Sequence, residues 1–266
     1  MTLGRAGAAP AAAGPLHAVA VATVEGFALR DVLARGRRSV VYRASRDGVD
    51  VALKLSPNTD FAQEHWLLRQ LAGDHVIGAY DHGQSPMGGW LALELACGGS
   101  LAQARPQPLE LAVVPRRLAD SARALAHVHA LGWVHRDVKP ANLLLRGGGR
   151  VVLGDFGSAC PRGTTAPRGH VVGTPLYACP ELADAAPATP AMDVYALGAV
   201  LHEWLAGRPP FTGTTAAEQA AQHLVAPVPV LPGPLSRWQP LLDAMLHKDP
   251  AQRPVDGLAV LHRIPS

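Results

Sequence analysis

The sequence predicts an α+β protein in two parts, a small antiparallel β-rich part followed by a larger helical one. Three observations carry this. Short apolar runs separated by turn residues dominate the first third. Apolar residues recur at three- and four-residue spacing through most of the remainder. The Gly98-Gly99 pair marks a border between the two. A chain of 266 residues suits one large domain or two closely packed lobes, and 48% apolar composition is enough for a sizeable core.

The elements follow in order. Residues 1–23 are rich in Ala, Gly and Pro with a single Arg5; Gly4, Gly7, Pro10, Gly14 and Pro15 break the apolar run, so a flexible tail is expected rather than a cleaved signal. Residues 27–33 and 40–43 read as strands joined by a Gly/Arg-rich turn, Asp47-Gly48 as a second turn, and residues 49–55 as a third strand. Phe61, Glu64, Leu68 and Leu71 share one face of a helix. Residues 76–80 and 90–95 read as strands separated by the breaker-rich stretch Gly83 to Gly89. Leu118, Ala122, Leu125 and His129 mark a second helix. Val194, Leu197, Leu201 and Trp204 mark a third, and residues 238–246 a fourth. No internal repeat is visible.

Composition excludes several classes. Lys plus Arg is 24 and Asp plus Glu 21, an excess of +3 that argues against nucleic-acid binding. No run reaches the roughly 18 to 20 apolar residues of a membrane span. Cys97, Cys160 and Cys179 form no C-x-x-C pair, so neither a disulfide framework nor a cysteine zinc site is expected, and a cytoplasmic location fits. The His127-x-His129 pair lies beside an apolar helical face and reads as packing rather than metal binding.

The chemistry concentrates in His135-Arg136-Asp137-Val138-Lys139-Pro140-Ala141-Asn142. Asp155-Phe156-Gly157 follows, and Val51-Ala52-Leu53-Lys54 precedes. All three motifs in this order and at this spacing leave chance negligible. They match the signature set of the eukaryotic-type (Hanks-type) serine/threonine protein kinases, which the chain resembles over roughly residues 24 to 264; its short loops and Ala/Arg/Pro-rich style resemble bacterial members. The resemblance implies a bilobal protein-kinase-like fold, with an N-lobe over 24–96, a C-lobe over 97–266 and ATP in the cleft.

By that resemblance Asn142 and Asp155 are ligands of Mg²⁺, or Mn²⁺, which prefer oxygen donors. Asp137 aligns the acceptor hydroxyl and takes its proton. Lys139 stands by the γ-phosphate, and Lys54 holds the α- and β-phosphates with Glu64 as counter-ion. The hinge reads Leu93 as gatekeeper, with adenine bonded to backbone at Glu94 and Ala96. Val41 and Ala52 cover the base and Leu144 lies beneath it. The phosphate loop departs from the family's glycine pattern: Ala34, Gly36 and Ser39 stand at the three glycine positions, which predicts weaker nucleotide binding. Arg37 and Arg38 at its tip either add positive charge to the cradle or stand solvated.

Further roles are implied by the same resemblance. Thr174 bonds Asp137 and Lys139 and marks a preference for Ser/Thr acceptors in protein substrates. Arg136 is held ready for a phosphate on the activation segment, at Thr164 or Thr165, in a loop that also carries Arg162 and Arg168. Glu181 pairs with Arg253, Asp193 accepts from backbone near His135 and Arg136, and Leu68, Ala79, His135 and Phe156 stack between the lobes. The implied activity is ATP-dependent phosphorylation of protein Ser/Thr hydroxyls, including its own. A pseudokinase, or a small-molecule kinase of the aminoglycoside phosphotransferase type, accounts less well for the complete residue set.

Overall fold

The computed structural model describes residues 23–103, 110–165, 174–182 and 185–265; residues 1–22 of the expected tail, Arg168 and Gly173 lie outside the described residues, while Thr23, expected in the tail, pairs with Ala28 in a strand. The first lobe is one antiparallel sheet. Its strands are β1 (Thr23–Val24), β2 (Phe27–Arg35), β3 (Val40–Arg46), β4 (Val49–Ser56), β5 (Ala79–Ser85) and β6 (Gly88–Glu94), in the order β1-β2-β3-β4-β6-β5. Alternation along β4 divides the work of its two faces. Val51, Leu53 and Leu55 join Phe27 and Trp90 in a small outer core, while Ala52 and Lys54 line the cleft on the other side.

The strand expected at residues 76–80 instead begins at Ala79 and runs through the supposed breakers to Ser85, turning back into β6 at Gly88. Those glycines serve contact rather than interruption. A Cβ at Gly83 would meet the Trp90 ring at 2.7 Å, and one at Gly89 would meet the Thr59 carbonyl at 1.9 Å.

Helix α1 (Ala62–Gln70) packs on β5, burying Leu67 and Leu68 together with Glu64. In the second lobe, α2 (Val114–Ala130) and α3 (Pro190–Ala206) each carry a proline in the first turn, where its missing N–H has no helical partner to lose. Nearly every side chain of α3 is buried, so it is the central post of this lobe and shows little polar–apolar periodicity. It stops at Gly207, whose φ of 77° suits the helix end. Around it stand α4 (Ala216–Val225), α5 (Gln239–Met245) and α6 (Gly257–Leu261). Gly257 lets α6 approach α2 closely, since a Cβ there would lie 2.3 Å from the Ala122 carbonyl.

Four short strands sit at the junction: β7 (Trp133–Val134), β8 (Leu143–Leu145), β9 (Val151–Leu153) and β10 (Cys160–Pro161), paired as β7–β10 and β8–β9. The β8–β9 hairpin has Asn142 at its entrance and Asp155 just past its exit, which brings two residues distant in sequence to one spot. Arg146 ties the lobes, donating to both oxygens of Glu94 at 2.6 Å and to the carbonyls of Asp74 and Val76. No helix among the described residues is long and apolar enough to cross a membrane.

Candidate active site

Lys54 on β4 is buried, and its Nζ lies 2.9 Å from both oxygens of Glu64 on α1 and 2.7 Å from Oδ1 of Asp155. Burial alone would push the ammonium down; the two carboxylates outweigh it and hold Lys54 above its ordinary value. Burial likewise opposes ionisation of Asp155, but the Lys54 charge keeps this carboxyl below its usual range.

The loop after β7 is built around Asp193 of α3. Its two oxygens accept the N–H groups of His135 and Arg136 at 2.8 and 2.7 Å, and His129 Nε2 is 3.0 Å away. That fixes Arg136 at φ 64°, a left-handed conformation uncommon for a side-chain-bearing residue. Asp155 shares the property at φ 58°. Such strain persists only where the surroundings over-determine it. His135 completes the lock, with Nε2 at 3.0 Å from the Gly154 carbonyl and its ring edge-on to Phe156 at 4.8 Å. Leu68 and Ala79 are buried in the same core, Ala79 at 5% exposure despite its small side chain.

Asp137 then presents its carboxylate to three donors. Lys139 Nζ donates to Oδ2 at 2.6 Å, Thr174 Oγ1 donates to Oδ1 at 3.0 Å, and Lys139 also reaches Thr174 Oγ1 at 2.9 Å. Asn142 Nδ2 donates to the Asp137 carbonyl at 2.8 Å and to Oδ2 at 3.1 Å. With its NH₂ group so committed, Asn142 is left with its amide oxygen for a cation, and Asp155 keeps its Oδ2 oxygen, since Lys54 holds only Oδ1. A pair of oxygen donors suits a hard divalent ion.

These groups border a cavity of about 300 Å³ between the lobes. Ala34, Gly36, Ser39, Val41 and Ala52 line its upper side, Leu93, Glu94 and Ala96 its back, and Lys139, Asn142, Leu144 and Asp155 its lower side. Glu64 and Asp137 are not in the lining. The Glu94 side chain turns to Arg146 and its N–H donates to the Gly78 carbonyl. None of Ala34, Gly36 or Ser39 has a positive φ, so the turn, closed by the Gly36 N–H to Ser39 carbonyl bond at 2.8 Å, forms without glycine-only angles.

On the far side of the loop that carries Asp137, Arg136 Nε donates to the Ser158 carbonyl at 2.8 Å. Burial raises the Cys160 thiol, against the pull of the nearby Arg136 charge and of the Thr164 hydroxyl bonded to it. Thr164 and Thr165 are exposed, with the Thr164 carbonyl accepting from Ala188. Arg253, its side chain fully enclosed, forks onto Glu181 at 2.7 and 2.9 Å. Three participants carried no sequence signal: Ile77 in the cavity wall, Arg146 at the lobe junction, and Gln103, whose Nε2 donates to the Leu33 carbonyl over the cavity mouth.

A curled antiparallel lobe, a helical lobe and this cleft define a protein of the bilobal kinase fold. The sequence model described as protein kinase domain matches residues 27–262, and the chain belongs to that family. Among curated proteins, a serine/threonine-protein kinase of Corynebacterium efficiens is 34% identical over 256 residues, covering 87% of this chain and 48% of its own. The serine/threonine-protein kinase PknL of Mycobacterium tuberculosis is 33% identical over 247 residues, covering 86% and 62%. PknA of the same organism is 34% identical over 248 residues, covering 85% and 58%. The chain thus spans 48 to 62% of the length of these relatives.

Proposed function

We propose that the protein is an ATP-dependent serine/threonine protein kinase. The observation that carries this is the convergence of Lys54, Lys139, Asn142 and Asp155 on one cleft, with Asp137 held at its edge by Lys139, Thr174 and Asn142. Phosphoryl transfer asks a protein mainly to position reactants and neutralise charge. Lys54, braced by Glu64, holds the nucleotide's inner phosphates; the Glu94 carbonyl and Ala96 backbone meet the adenine edge, and Leu93, Val41, Ala52 and Leu144 enclose the base. Asn142 and Asp155 hold Mg²⁺ or Mn²⁺, which when bound offsets charge on the phosphates. Asp137 orients the Ser or Thr hydroxyl of a protein substrate and accepts its proton, while Lys139 faces the transferring phosphoryl group. Thr174 keeps both in register. Thr164 or Thr165 receives a phosphate that Arg136 binds. Glu181, Arg253 and Asp193 hold the lower lobe in shape.

The serine/threonine kinases among its relatives support the reading. The test is transfer of labelled γ-phosphate from ATP to myelin basic protein. Labelled Ser or Thr is expected, with Asp137→Asn abolishing transfer while nucleotide still binds. Nucleotide binding without transfer to any protein would instead mean a pseudokinase.

A further inference from the structure

On the other side of the β2–β3 hairpin from the nucleotide cavity lies a second depression, of about 610 Å³. Its floor is apolar, from Val40, Tyr42 and Leu55. One wall is the hairpin turn with Arg37, Arg38 and Ser39; the opposite wall is the segment entering α1, with Ser56, Asn58 and Thr59. Arg37 and Arg38 are the central residues of the turn that the Gly36–Ser39 bond closes, so both project from its tip. Both are exposed, and neither has a hydrogen bond or ion pair among the described residues.

Glu64 and Asp155 pair with Lys54 and Asp137 with Lys139, and neither these acids nor Asp60 line the depression. The charged side chains that do line it are Arg37 and Arg38, so its rim is positive. An arginine fork matches two oxygens of a carboxylate or a phosphate monoester. Asn58 adds an amide donor, the paired Ser56 and Thr59 hydroxyls at 2.7 Å add reorientable ones, and the floor can take flanking apolar side chains.

We propose that this depression is an anion-recognition site, separate from the nucleotide cavity, for a phosphate monoester or carboxylate on a protein segment. Its two walls are the turn that covers the nucleotide cavity and the entry to the helix that carries Glu64. An anion bridging them draws the turn and α1 together and favours the Lys54–Glu64 pair.

The experiment uses the full chain and fluorescein-labelled peptides of one neutral, partly apolar sequence carrying phosphoserine, glutamate or serine at one position. Fluorescence anisotropy is expected to give at least tenfold tighter binding of the phosphoserine peptide than of the serine peptide. The preference should weaken with salt and vanish in R37A/R38A, whose thermal unfolding and affinity for a non-hydrolysable ATP analogue should match wild type. Tight binding of the glutamate peptide would identify carboxylate as a ligand too; binding only of the phosphoserine peptide restricts the site to phosphate. Equal affinity for all three peptides overturns the proposal. So does a double variant that loses the ATP analogue tenfold with peptide binding untouched, which assigns the arginines to the nucleotide. None of these readouts depends on phosphoryl transfer.

Discussion

Lys54 Nζ sits midway between the oxygens of Glu64, 2.9 Å from each, although the two residues belong to different elements and both are nine-tenths buried. Removing one partner of a buried pair strands the other, at a cost of about 3–5 kcal/mol. Lys54→Met leaves Glu64 and Asp155 facing each other with no cation. We expect kcat/KM for a protein substrate to fall at least 100-fold in Lys54→Met. Glu64→Gln keeps the shape and should fall about 10- to 100-fold, with KM for ATP raised. Wild-type KM for ATP in Glu64→Gln would disprove the bracing role.

Thr174 bridges Lys139 and Asp137 with bonds of 2.9 and 3.0 Å. Thr174→Ala removes a hydroxyl that fixes both, and Thr174 is not itself among the residues lining the cavity. The loss of a preorganising hydrogen bond of this kind is worth about 2 kcal/mol. Steady-state kinetics should therefore give a kcat reduced roughly 10- to 100-fold and KM for ATP within about threefold of wild type. Thr174→Ser should restore most of the rate. A rise in KM for ATP with kcat intact would place Thr174 in nucleotide binding instead.

The phosphate turn gives a third expectation. Ala34 and Ser39 adopt ordinary backbone angles, so in the proposed function what their Cβ atoms would cost is close approach to phosphate rather than strain. Ala34→Gly/Ser39→Gly should tighten ATP binding severalfold in calorimetry while leaving kcat little changed. Unaltered affinity would mean that the turn is already close enough.

Legibility in the sequence followed the size of each element's periodic signal. Long strands such as β4 and helices such as α1 and α2 repeat an apolar pattern over enough residues to be read. β8 and β9, three residues each, do not, yet their hairpin brings Asn142 and Asp155 together. Gly83, Gly88 and Gly89 misled because glycine marks both chain reversal and close contact, and only the Trp90 ring and the Ser56 and Thr59 carbonyls distinguish the two. The site was legible where residue chemistry is distinctive: the HRD, DFG and strand-lysine motifs name their own residues. Arg146 and Gln103 were not, since each acts through a partner, Glu94 or the Leu33 carbonyl, whose nearness arises only on folding.

Arg253 ties together several segments of the lower lobe outside the cleft. Its guanidinium, with 0% side-chain exposure, bonds Glu181 twice and the carbonyls of Ala191, His247 and Lys248. Arg253→Met fills much of the volume but removes the charged donor from Glu181 and the bonds made to three carbonyls. Chemical denaturation should report a loss of about 3–5 kcal/mol, and the double variant Arg253→Met/Glu181→Met should recover part of it. A single variant as stable as wild type would refute this.

Stability should also fall on mild acidification, through His223. This ring is buried on α4, with Nδ1 2.9 Å from the Tyr195 hydroxyl of α3, edge-on to Phe211 at 4.8 Å, and its own carbonyl accepting from Lys248 at 2.7 Å. Burial, reinforced by the Lys248 charge, lowers its pKa from 6.5 to about 4. Above pH 6.5 the ring is neutral folded and unfolded, and the proton makes no difference. As pH falls from 6.5 toward 4 the unfolded chain binds a proton that the folded one refuses, so unfolding gains. By linkage the loss is roughly 2 kcal/mol between pH 7 and pH 5, approaching about 3 kcal/mol below pH 4. Burial shifts His202 the same way, so a difference measurement is needed. Urea unfolding at pH 7, 6 and 5 should give a steeper decline for wild type than for His223→Gln, which can still accept from Tyr195 and has no proton to gain. Parallel declines in the two proteins would mean that the ring titrates freely, against the enclosure provided by Tyr195, Phe211 and Lys248.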